Sequence, residues 1–212
     1  MYTIVTILSS LMLSAAPLHA SDTVKAPAAD SLQQQEPPAV AAVPIPRQRF
    51  KGVPIEGSVQ GFTAQLRACG FTKKEQRLEG PFAGTTVQLE MFATPLSATV
   101  YAVNAYLPSK PSFEKAVEEY NLYKHNLTAV YGKPSTSIER FDAPYSKGDG
   151  FSLRALAEAK VTYMTLWSTD CGTVSCSVVY IRGAAAVMLT YTDATGRDIY
   201  TGEREIQIRQ DL

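Results

Sequence analysis

Histidine, cysteine and tryptophan are scarce: the chain has two, three and one of them in 212 residues. His19 lies in an apolar leader, so the mature chain is expected to keep only His125. One histidine excludes the usual multi-histidine metal sites and makes any Ser/His or Cys/His nucleophile depend on that residue. Net charge is also absent, with 20 Lys and Arg against 20 Asp and Glu. That balance lacks the electrostatic footprint of a nucleic-acid binder. No G-x-x-x-x-G-K-[ST], nucleophile elbow or dinucleotide fingerprint occurs, so no cofactor is expected and no catalytic constellation is assigned. After the leader no run is apolar enough to span a bilayer, and no transmembrane anchor is expected in the mature chain.

The leader itself, MYTIVTILSSLMLSAAPLHA, is apolar from Ile4 to Ala16 and ends in a small residue. It reads as a signal peptide over residues 1–20, cleaved after Ala20, and predicts a periplasmic or secreted protein. No cysteine follows the apolar run, which excludes a lipid-modified N-terminus. Residues 21–48 carry Pro27, Pro37, Pro38, Pro44 and Pro46 among alanine and glutamine, with no aromatic. Such a stretch buries too little apolar surface to offset its ordering entropy and is expected to be a disordered tether. Arg47, Arg49 and Lys51 at its end are expected to be solvated. Residues 49–212 are long enough for one domain with a proper core.

Within that domain the longest helical pattern is SFEKAVEEYNLYKHNLTAVYGKP, from Ser112 to Pro134. Phe113, Val117, Tyr120, Leu127 and Tyr131 recur at three- and four-residue steps, Ser112 suits the N-cap, and Gly132 with Pro134 makes a stop. A shorter helix begins at Ser58 and exits at Gly70, with Val59, Phe62, Leu66 and Cys69 on one side. Strand patterns follow each helix. Thr85 to Phe92 alternates through Val87, Leu89 and Met91, and Ala98 to Leu107 has the make-up of a central strand. Ser137–Phe141, Val161–Trp167, Val174–Ile181 and Val187–Tyr191 continue the series. The tail GEREIQIRQDL is open: Ile206 and Ile208 favour a strand, its charges a helix. The predicted fold is α+β, with two helices on one face of a mostly antiparallel sheet and a weak helix-plus-strands duplication. Some secreted enzyme inhibitors use the same layout of repeats.

Several phrases resemble a group of exported α+β proteins of unknown function from Gram-negative bacterial envelopes. They are FKGVPIEGS from Phe50, GFT from Gly70, GPFAG from Gly80, YGKP from Tyr131 and VMLTYTD from Val187. The resemblance implies export and one α+β domain, and it carries over no catalytic residue. Asp22-Thr23-Val24 and Asp30-Ser31-Leu32 resemble the acidic–hydroxyl–aliphatic acceptor of O-glycosylated envelope proteins, which would place glycans on Thr23 and Ser31.

Few residues offer chemistry. His125 falls off the apolar stripe of its helix and is expected at the surface. Cys69, on an apolar helix face, reads as an inert buried thiol. Three cysteines in an oxidising compartment need an account. A four-residue loop from Gly172 to Ser175 would set Cys171 against Cys176 and allow a disulfide. A Cys171-Gly172 turn would set Cys176 against Trp167 and forbid it, and Cys69–Cys176 is the other pairing. Glu118 and Glu119 diverge around a helix and read as a solvated face. Asp193 to Asp198 has oxygen ligands around Gly196, but reads as a polar turn after a strand.

These observations favour a non-enzymatic exported module that binds an unknown protein, peptide or glycan through its sheet face or loops. A hydrolase built on Asp142, Asp149, Asp170 and Tyr145 is the alternative, and a structural envelope component is a third.

Overall fold

Short glycine turns set much of the strand pairing. Ala83-Gly84 has φ values of 46° and 80°, and Arg182-Gly183 has 52° and 87°. Positive φ at both central residues gives a two-residue hairpin whose twist matches its strands. Phe82 accordingly faces Thr85, and Ile181 faces Ala184. The computed structural model describes residues 46–75 and 77–212. The leader, the linker as far as residue 45, Thr23 and Ser31 lie outside the described residues.

A lead-in hairpin, β1 (Arg49–Phe50) and β2 (Val53–Pro54), precedes helix α1 (Val59–Ala68). Four strands follow: β3 (Thr72–Lys74), β4 (Arg77–Phe82), β5 (Thr85–Ala93) and β6 (Val100–Tyr106). Helix α2 (Phe113–Tyr131) leads into β7 (Thr136–Phe141) and the short helix α3 (Ser152–Ala157). The chain ends with β8 (Val161–Thr169), β9 (Gly172–Ile181), β10 (Ala184–Asp193) and helix α4 (Ala194–Asp211). Eight strands form one sheet in the order β3-β4-β5-β6-β10-β9-β8-β7. Every pairing within it is antiparallel. The α+β class with an antiparallel sheet therefore holds.

Among the described residues four helices are present where the sequence pattern predicts two. The tail that is open from sequence is α4. Ile206 and Ile208 are spaced like strand residues, but both stay about half exposed, at 47% and 48%. Their alternation therefore never has to be buried. Local forces start the helix instead: Asp193 accepts a hydrogen bond from Gly196 N at 2.8 Å as its N-cap. Tyr200 stacks on Tyr101 with ring centroids 4.8 Å apart, and Glu203 takes the amides of Leu96 and Ser97 at 2.6 and 3.1 Å.

Alternation puts one face of the sheet in the core. A transverse row runs from Leu78 through Leu89, Ala105, Leu189 and Cys176 to Thr165, residue opposite residue across six strands. All six are buried. Helix α2 lies against β8, β9 and β10 and buries Phe113, Ala116, Tyr120 and Leu127. Its ends follow from the sequence: Ser112 Oγ accepts from Lys115 N, and Gly132 exits at φ 79°. Tyr120 OH meets Thr165 Oγ1 at 2.6 Å under the helix. Lys124 lays its stem in the same stripe and carries its ammonium to Glu139 at 2.6 Å, so a charge is tolerated there. In α1, Phe62 and Leu66 are fully buried, while Val59 at the first turn is exposed.

Candidate functional site

On the other face Ala102 and Ala186 are buried, but two rows of side chains stay partly in water. A row from Gln88 through Tyr106, Met188, Ser177 and Met164 to Ile138 crosses six strands. The next row runs from Glu90 through Asn104, Thr190, Ser175 and Leu166 to Thr136. None of these residues is buried. In these two rows the β7–β10 strands carry apolar and hydroxyl side chains, and β5 and β6 carry Gln88, Glu90, Asn104 and Tyr106, with Arg140 an exposed charge farther along β7. At the charged end the groups hold one another. Thr190 Oγ1 donates to Asn104 Oδ1 at 2.8 Å, and Tyr106 OH donates to Glu90 at 2.5 Å. Gln88 Nε2 donates to Glu79 at 2.8 Å, and Arg77 Nη1 donates to Gln88 Oε1 at 3.3 Å.

Two clefts open at this corner, of about 240 and 480 Å3. Both are lined by Arg77, Glu79, Gln88 and Arg182. Arg182 arrives from the β9–β10 turn, so strand order brings it beside a residue of β4. No sequence motif marks this group; the available signal is the polar side of the β5 alternation, Gln88 and Glu90. Burial and the Glu90 hydrogen bond both raise the Tyr106 phenol above its ordinary value, so it stays protonated and donates.

The residues singled out from sequence are scattered. Cys171 and Cys176 do not meet. Thr169 faces Gly172, so the hairpin turn is Asp170-Cys171, and Cys176 faces Thr165 well along the strand. At about 3.3 Å per residue, Cys176 lies roughly 13 Å beyond the turn, past the reach of about 7 Å for bridged Cα atoms. A two-residue turn is closed here because a Cβ on Gly172 would collide with the Thr192 carbonyl; only glycine lets β9 leave this close to β10. All three cysteines are free thiols, so neither Cys171–Cys176 nor Cys69–Cys176 forms. The inert buried thiol is Cys176, pushed up to about 12 chiefly by burial, with the Glu119 carboxylate adding to it. Cys69 caps α1 and is only half-buried.

His125 is exposed, as its place on α2 predicts. Glu118 is solvated and pairs with Lys115, but Glu119 is not: it turns inward to Lys110 at 2.7 Å, with 17% of its side chain exposed. The loop carboxylates serve local structure. Asp142 pairs with Arg140 at 3.3 Å. Asp149 accepts the amides of Ser146 and Phe151, which hold its pKa below the ordinary carboxylate value. Asp170 is exposed in its turn, and Tyr145 OH donates to Glu158 at 2.7 Å. A cleft of about 360 Å3 beside β7 takes in Tyr145 but none of the three aspartates. Among the described residues no three His, Cys, Asp or Glu side chains group as metal ligands, and no helix is long and apolar enough to cross a membrane.

Asp193 is the largest departure from the sequence reading. It belongs to no surface turn: its side chain has 0% exposure and receives Arg47 Nη1 at 2.7 Å. The amide of Gln48 donates to its other oxygen at 2.9 Å. Gln48 is itself buried, and its Oε1 accepts from Thr169 Oγ1 at 2.8 Å. Arg47 and Gln48 are therefore held against Asp193, and Arg47 is an anchor instead of a solvated charge. Comparison of the chain with protein-family models, curated proteins and solved structures finds no match.

Proposed function

We propose that this is an exported, non-enzymatic binding module that takes a protein, peptide or glycan partner on the open face of its sheet. One observation carries the reading: two full rows of side chains cross six strands on that face without one being buried. The opposite face has its partners in Phe62 and Leu66 of α1 and Phe113, Tyr120 and Leu127 of α2, all in one core cluster. Antiparallel sheets commonly leave one face to solvent, but a mixed face of methionine, leucine, tyrosine, hydroxyls and charges also suits recognition. Export rests on the leader and on the resemblance to envelope proteins. The hydrolase alternative loses support because Asp142 and Asp149 are engaged in an ion pair and a turn, and Asp170 stands exposed in a separate turn.

The finer architecture belongs to the same proposal. We read α1 with β3–β6 and α2 with β7–β10 as two copies of one plan, both helices in one layer. Supporting this, the halves run in opposite strand order and meet at β6–β10.

The test is capture from native envelope extract followed by mass spectrometry. Thr190→Arg and Ser175→Arg are each expected to abolish capture, while His125→Arg on the exposed side of α2 leaves it intact. Equal capture by all three would refute the open-face reading. Intact mass of the recovered chain is expected to start at Ser21 and to carry added sugar at Thr23 and Ser31; an unmodified mass would remove the glycosylation proposal.

A further inference from the structure

At the corner where β4 and β5 approach the β9–β10 turn, Arg77 and Arg182 overlook an apolar floor, and Lys74 beside them pairs with Glu79 at 3.4 Å. The larger cleft adds Lys74 and Glu75 to the four shared residues. The smaller runs on over Tyr106, Leu107, Pro108, Ile181 and Ala186. Charged heads therefore sit at one end of the recess and aliphatic carbon at the other.

Arg77 is held ready. Its guanidinium stands over the Tyr106 ring at 5.9 Å from the centroid, and one nitrogen donates to Gln88. Gln88 is oriented in turn, because its amide nitrogen donates to Glu79 and leaves its carbonyl for Arg77. Of the five N–H donors of a guanidinium, this arrangement uses one, and Arg77 lines both clefts. Arg182 has no ion pair among the described residues. It stands on a two-residue turn whose backbone fixes its origin.

Charge decides the ligand class. Lys74, Arg77 and Arg182 face Glu75 and Glu79, which leaves one net positive charge. A single carboxylate balances that; a phosphate dianion would overfill it beside Glu79. The smaller cleft, about 240 Å3, sets Arg77 and Arg182 beside Pro108 and Ile181. That pairing suits a charged side chain with an apolar neighbour, and the macromolecular partner follows from the open-face reading. We infer that this corner seats an aspartate or glutamate side chain of a protein partner. Arg77 and Arg182 take the carboxylate, and an adjoining apolar side chain lies over Pro108 and Ile181. The inference rests on the open-face reading and names the chemistry of its partner.

The test is an NMR titration of the 15N-labelled full chain with the peptide acetyl-Leu-Glu-Leu-amide, its glutamine counterpart and inorganic phosphate. The glutamate peptide is expected to shift the amides of Arg77, Gln88, Tyr106 and Arg182. It should saturate at least about tenfold lower than the glutamine peptide, as loss of a charge-assisted hydrogen bond implies. Arg77→Gln and Arg182→Asn should each weaken it by a similar factor with unchanged thermal unfolding. Equal response to both peptides, binding that survives both substitutions, or phosphate saturating the same amides as tightly would overturn the seat. Envelope capture separates the two readings. Capture indifferent to Ser175→Arg, with the glutamate peptide still bound at the corner, removes the open face and keeps the seat. Capture lost in Ser175→Arg, with peptide binding indifferent to both arginines, does the reverse.

Discussion

Replacing Asp193 with alanine is expected to destabilise the chain more than any surface change, and the size follows from its contacts. The carboxylate is fully buried and serves three donors: Arg47 at 2.7 Å, the Gln48 amide at 2.9 Å and the Gly196 amide at 2.8 Å. Loss of the helix cap alone costs about 1 kcal/mol. Leaving the buried Gln48 amide without an acceptor costs about 1–3 kcal/mol. Breaking a buried ion pair costs about 3–5 kcal/mol when the remaining charge is sealed from water. Arg47 is not sealed: it keeps 23% of its side chain exposed and has Glu56 at 3.4 Å. The ion-pair part is therefore discounted to about 1 kcal/mol, the range of a screened pair. The total is about 3–5 kcal/mol, a large share of the roughly 5–15 kcal/mol by which domains are stable. For a chain of this size that is a fall in Tm of roughly 6–20 °C. Urea unfolding should show a lower midpoint at unchanged slope. Asp193→Asn, which keeps a carbonyl for the cap, should cost about half as much. A double-mutant cycle with Arg47→Ala should reveal coupling. If Asp193→Ala costs less than about 0.5 kcal/mol, or the two changes simply add within that margin, the clamp is not what joins the lead-in to α4.

Three further outcomes follow from other sites. Cys176 keeps its proton up to about pH 12 in the folded chain, whereas an unfolded thiol ionises near 9.0. The unfolded state then binds fewer protons above pH 9.0, so stability should fall as pH rises from 9.0 toward 12, less steeply in Cys176→Ala; identical urea midpoints on both sides of pH 9.0 would contradict this. A Cβ on Gly80 would lie 2.5 Å from the Phe71 ring and 2.9 Å from its Cα. Gly80→Ala should therefore cost about 1–3 kcal/mol as overpacking, and an unchanged Tm would refute the close approach. Ala83 holds φ 46° in its exposed hairpin turn. Ala83→Asn should raise stability by roughly 0.5–1 kcal/mol, because asparagine tolerates the left-handed region, and a lower urea midpoint would count against the turn geometry.

Capping, periodicity and turn chemistry act within about four residues, and what depends on them was legible from the chain alone. Ser112 and Gly132 bound α2, Ser58 starts α1, and the alternation of Val87 and Leu89 marks β5, all from local pattern. The α+β class and the antiparallel pairing followed from those elements. The identity of α4 did not, because Ile206 and Ile208 alternate like strand residues yet are never buried. The hairpin register was equally beyond local reading. It depends on Gly172 passing the Thr192 carbonyl, a contact between strands, and it separates Cys171 from Cys176. Asp193 reads as a turn residue until Arg47, 146 positions earlier, is folded against it. The corner cleft likewise exists only because strand order sets the β9–β10 turn beside β4. Local pattern decides which segments are helix or strand. Burial of one common face decides their order and register, and through these which distant charges meet.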